Sequence, residues 1–211
     1  MEILNKTPFL PLTAHIFSAC FCMGCSALLH WFLVKSKNTS TCLSRLDYGG
    51  ISILIFGSTV PISYYGMACE DVKVPRAVYL IAMGLCSLAC FIVTTYPGFD
   101  TPKFRKWRGI MFMTLGLMTA VMFTIFAIWP DECVKTNIWL WALGGYIYIQ
   151  GATIYVIRIP ERFYPGKFDI CGHSHSIFHF HVVAACVLMF YLNYSAYLDR
   201  QNFLGCPIWK Q

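Results

Sequence analysis

Six apolar blocks, each long enough to cross about 30 Å of hydrocarbon at about 1.5 Å per helical residue, decide what this chain can fold into. They lie near 12–34, 47–67, 75–96, 108–129, 136–157 and 175–197. Lipid offers a backbone no water to bond, so each block must satisfy its own N–H and C=O groups. The predicted fold class is all-α: one polytopic transmembrane helical bundle of six spans over 1–211, with no internal repeat. Composition agrees, with 57% hydrophobic and 12% charged residues against about 45–50% and about 25% in soluble domains. An ordinary cytosolic domain, a disordered chain, a collagen and a disulfide-knotted miniprotein are excluded.

The joints between blocks carry the charge. Formal net charge is +6, but the basic residues form short clusters beside the spans rather than a run interleaved with stacking aromatics. That pattern argues for an anionic membrane face and against nucleic acid. One side holds Lys35, Lys37, Arg45, Lys103, Arg105, Lys106, Arg108, Arg158, Arg162 and Lys167, and the other Lys6, Lys73, Arg76, Lys135, Arg200 and Lys210. The positive-inside rule assigns the first set to the cytosol, in an integral multi-pass protein of the plasma membrane or an endomembrane. Both termini then face outward, although the N-terminal tail shows neither a basic start nor a cleavage site. Either this tail is translocated or a further span precedes it.

Of eleven cysteines, six lie inside apolar blocks, where cysteine packs as a small hydrophobe. The group Cys20, Cys22 and Cys25 reads as packing, with a soft-metal site as its alternative. The sequons at Asn5 and Asn193 fall on the predicted outer side.

Ionisable groups within spans are costly and are functional candidates by default. Here they are few. His175 and His179 are spaced i, i+4 and share one helix face, a spacing at which two imidazoles can hold one zinc ion. His30 ends the first span and Asp47 opens the second on the same predicted side, so three imidazoles and a carboxylate meet at one membrane depth. Three histidines leave a fourth position on zinc for water, as in catalytic sites. Asp47 would hold that water or take its proton, and Ser26, one turn from His30, would position the water or an oxyanion. The alternative is a buried polar patch closed by hydrogen bonds. His15 reads as an interfacial histidine far from this layer, and His173 and His181 as lipid-interface or loop contacts on a different face, with His173 as a replacement ligand if the helix starts late.

These residues also carry a resemblance. Ser26-Ala-Leu-Leu-His30, Leu46-Asp-Tyr-Gly-Gly50 and His175-Ser-Ile-Phe-His179 resemble the signature of the progestin and adipoQ receptor family. Ile159-Pro-Glu-Arg-Phe-Tyr-Pro-Gly-Lys-Phe-Asp169 resembles its adiponectin-receptor branch more than the haemolysin-III-like branch. The resemblance runs from about Pro8 to Tyr194. It implies a seven-helix fold with a cytosolic N-terminus, against which this chain begins at the second helix. The expectation is therefore that a preceding helix supplies the inward N-terminus, and that the six spans insert poorly without it. The resemblance further implies zinc held by His30, His175 and His179, with Asp47 contacting the metal through water and Ser26 matching the serine of the first motif. The implied activity is hydrolysis of ceramide-like lipid amides to a fatty acid and a sphingoid base, linked to lipid signalling.

Two functions follow. One is a zinc amidohydrolase acting on membrane lipids such as ceramide. The other is a receptor in which zinc is structural and an extracellular protein ligand biases helix packing. A transporter or channel is disfavoured, because the spans carry neither paired Gly/Pro breaks nor a chain of charges.

Overall fold

The computed structural model describes residues 7–32, 34–67, 73–128, 138–168 and 171–202. They form seven helices: α1 (Leu10–Phe32), α2 (Lys37–Gly66), α3 (Lys73–Thr95), α4 (Arg105–Leu117), α5 (Ala120–Ile128), α6 (Ile138–Ile157) and α7 (Ser174–Asn202). A 3₁₀ turn, Pro102–Phe104, leads into α4. Six segments are long and apolar enough to cross a membrane, with α4 and α5 combining in the fourth. The all-α bundle read from the sequence is the fold of this integral, multi-pass membrane protein. Asn5, Cys69, Cys133, Cys206, Lys6, Lys135 and Lys210 lie outside the described residues.

Two elements depart from the apolar pattern. Helix α2 begins ten residues before its apolar block, because the Ser36 hydroxyl accepts the Thr39 N–H at 3.1 Å and caps it. The fourth span is broken at Met118–Thr119. There the Thr119 hydroxyl donates to the Gly116 carbonyl at 2.6 Å, and the Met122 N–H turns back to Thr119 O at 3.0 Å. A hydroxyl that competes for a helix carbonyl bends or breaks the ladder.

Without a strong hydrophobic drive between helices in lipid, small residues bring the backbones together. Helices α1 and α2 meet at Gly57, where an added Cβ would stand 2.1 Å from Ser18 Oγ. Helices α6 and α7 meet at Gly151, where it would stand 2.5 Å from His181 Cβ. The buried cluster includes Leu12, Tyr65, Met83, Met122, Trp141 and Leu192. Trp31, Leu85, Trp139, Phe180 and Tyr191 face outward, as a lipid-facing surface requires.

The basic ends converge on one end of the bundle. Arg45 pairs with Asp100 at 3.5 Å. Arg108 donates to Phe99 O and to Thr101 O at 2.9 Å, and Arg105 to Tyr155 O at 2.6 Å. The long loop folds back over the start of α7, with Arg158 in the left-handed region at φ 60°. Glu161 accepts from the Ser174 N–H at 2.8 Å and from the Ser174 hydroxyl.

One outer-side expectation fails. Asn193 is 0% exposed on α7, and neither polar atom of its amide has a hydrogen-bond partner. Its side chain packs among helices and is closed to glycosylation in the folded chain.

Candidate metal centre

His30 lies in the last turn of α1, and His175 and His179 lie in the first turns of α7. The three rings meet at the basic end. Centroids are 5.2 Å apart for His30–His175, 5.6 Å for His30–His179 and 4.7 Å for His175–His179. One nitrogen from each ring falls within 4.8 Å of the others. This is the one group among the described residues that could hold a metal ion. His179 Nε2 is buried without a hydrogen-bond partner, a state that costs free energy unless something binds it. A network closed by its own hydrogen bonds would leave no such atom. The donor set, three imidazole nitrogens, suits zinc among the common metals.

The sequence-predicted neighbours are beside it. Asp47 is 7% exposed, and its carboxylate interacts with Ser26 and His30. The Ser26 hydroxyl is buried beside Asp47, in a geometry that completes no ordinary hydrogen bond. Ser26, Asp47, His175 and His179 line one end of a cavity of about 330 Å³. It runs into the bundle between α2, α4, α6 and α7, past Leu54, Phe112, Ile149 and Val182, as far as Met122, Trp141 and Met189. Its walls are almost wholly apolar.

The remaining histidines divide. His173 precedes α7 and accepts the Ser176 N–H at 3.2 Å, so it caps the helix. His181 bonds the Ile177 carbonyl at 2.8 Å and packs on Gly151. His181 lies off the three-ring face, whereas the His173 ring packs edge-on against His175 with centroids 6.2 Å apart, so the loop-contact expectation for His173 is corrected. His15 does not sit at an interface. It is 1% exposed, 3.1 Å from Ser58 Oγ through Nδ1 and 3.2 Å from Cys186 O through Nε2. A lone imidazole at a span end carries no signal of what the facing helices offer it. Cys20 is exposed, whereas Cys22 and Cys25 are buried; all three are free thiols.

Two site residues escape the sequence reading. Arg108, counted there only as a loop cation, is 3% exposed and lines the cavity. Its guanidinium stacks 4.2 Å over the Tyr48 ring and keeps Nε buried and unbonded. Tyr155 is held between Arg105, 3.9 Å from its ring centroid, and His175, 5.4 Å away. The available signal was a charge adjoining an apolar run beside Gly109, whose would-be Cβ lies 2.2 Å from Val156.

The chain is similar to known proteins along most of its length. The haemolysin-III-related family model matches residues 2–190. The chain is 35% identical over 198 residues to the adiponectin receptor protein of Drosophila melanogaster, covering 92% of this chain and 44% of that one. It is 35% identical over 188 residues to heptahelical transmembrane protein 3 of Arabidopsis thaliana, covering 86% and 52%. It is 32% identical over 185 residues to heptahelical transmembrane protein ADIPOR2 of Oryza sativa subsp. japonica, covering 87% and 80%. Against the first two, the chain spans about half their length.

Proposed function

The chain belongs to the haemolysin-III-related family, alongside adiponectin receptor proteins, and from that premise we propose that it is a zinc-dependent hydrolase of ceramide-like lipid amides. The observation that carries this reading is an open three-imidazole cluster with a neighbouring carboxylate at the mouth of an apolar cavity. His30, His175 and His179 would hold the metal. Zinc held there supplies Lewis acidity, polarising an amide carbonyl and easing the deprotonation of water.

The chain's own residues do the rest. Asp47, within the charge field of His30, accepts the proton of the attacking water and returns one to the departing amine. Ser26, with its hydroxyl unbonded, orients that water or donates to the developing oxyanion. Arg108 Nε offers a charged donor to the fatty-acid carboxylate that hydrolysis produces. The cavity walls take an acyl chain out of bilayer and water alike.

The second reading, a receptor with structural metal, draws on the word receptor in the names of relatives such as the Drosophila protein. An extracellular protein ligand belongs to that reading. One experiment tests the proposal: metal analysis and a ceramide-hydrolysis assay on the same purified sample. About one zinc per chain with amide turnover supports hydrolysis. Zinc without turnover supports the receptor, and no zinc removes both.

A further inference from the structure

A second polar station interrupts the apolar cavity, well away from the three histidines. Ser58 on α2 and Tyr148 on α6 both face the cavity. Behind them stand His15 on α1 and Cys186 on α7. The Cys186 carbonyl sets the direction of the His15 hydrogen bonds. The Cys186 carbonyl can only accept, so His15 Nε2 carries a proton toward it at 3.2 Å. A neutral ring then accepts at Nδ1, and the Ser58 hydroxyl donates to it at 3.1 Å. The Ser58 oxygen is left with acceptor capacity. The Tyr148 hydroxyl lies 3.0 Å from Cys186 Sγ, a weak acceptor. An incoming oxygen would give it a better one.

The Tyr148 and Ser58 hydroxyls also lie within reach of each other, so an alcohol would insert between them, accepting from Tyr148 and donating to the Ser58 oxygen. Its depth can be read along the helices. Ser58 lies eleven residues beyond Asp47, and Tyr148 seven residues from Tyr155, about 16 Å and about 10 Å of rise. An extended chain advances about 1.2 Å per bond, so this is roughly eight to thirteen carbons. The apolar residues Ile51, Leu54, Phe178 and Val182 fill the interval.

We propose that this cavity selects lipid chains bearing a hydroxyl partway along their length, with Ser58 accepting from that hydroxyl and Tyr148 donating to it. The inference rests on the reading of the cavity as an acyl-chain site and adds which chains it prefers. His15 acts as a positioning residue that turns the Ser58 hydrogen away from the cavity.

The test is displacement of a fluorescent fatty acid from the purified full chain by oleate and by ricinoleate, which differs only by a hydroxyl on its twelfth carbon. Ricinoleate is expected to displace at about three- to tenfold lower concentration, the value of one or two net hydrogen bonds. Ser58→Ala and Tyr148→Phe should each shrink the ratio of ricinoleate to oleate potency. Where one variant loses oleate binding through misfolding, the other decides. Equal potency of the two acids on the unmodified chain overturns the inference and leaves the acyl-chain reading intact. An advantage that survives in the folded variants overturns it too. Binding of neither acid overturns the acyl-chain reading and this inference with it.

Discussion

His179 brings a buried, unbonded Nε2 to a cluster with two other imidazoles, and removing it tests the metal assignment most directly. His179→Ala should leave two donors and weaken zinc binding by more than about tenfold, read by metal analysis after dialysis. Full occupancy in that variant would sink the assignment. Asp47→Asn should retain zinc, since the amide still bonds water, and lose about 10²–10⁴ in turnover, because it cannot accept a proton. Unchanged turnover would favour a structural metal. The three histidines and Asp47 were legible because helical spacing and span direction alone bring them to one depth. His15, Arg108 and Tyr155 were not, because their roles depend on what the facing helix presents. No periodicity within one helix encodes that.

At the scale of elements, the start of α7 positions two of the three rings, and Glu161 secures it from the long loop. Burial pushes the Glu161 carboxyl up. The two hydrogen bonds from Ser174 and the charge of Arg158, 3.9 Å away, outweigh this and hold it below its ordinary value of 4.5. A carboxyl lowered in the folded state stabilises above its unfolded pKa, and that contribution is lost as pH falls through the folded one. The thermal midpoint of the unmodified chain should therefore drop on acidification below about pH 4.5 more steeply than that of Glu161→Gln. Parallel profiles would deny the capping role. The α6–α7 seam makes a separate prediction. Gly151→Val must displace His181 at its Cβ and Cγ, costing about 1–3 kcal/mol as overpacking does, measured by thermal unfolding in detergent. The six membrane-spanning segments were legible in hydropathy. The break at Met118–Thr119 was not, because the hydroxyl that makes it sits inside an unbroken apolar run.

Among the described residues the histidine cluster lies at a basic end of the bundle, and the positive-inside rule predicts that this end faces the cytosol. Cys42 and Cys171 are exposed thiols at this end. In sealed cells an impermeant thiol reagent should leave both unlabelled until the membrane is opened. Labelling of either from outside would invert the orientation. Six spans and a single bundle were readable from blocks of hydropathy, whereas the cavity within was not, because it is made by what six helices fail to fill.

Helix α2 runs 30 residues between its two caps, about 45 Å of rise against about 30 Å of hydrocarbon. With its far end at one membrane surface, the first ten residues overhang the other, and Asp47 stands at the boundary. Hydrolysis consumes a water at every turnover, and hydrocarbon holds almost none. A site at that edge draws on the bulk phase across a single turn of helix, while the lipid chain stays in oil. For the proposed hydrolysis, the helix's length would settle a problem of supply: two reactants that do not mix would each be delivered from their own solvent.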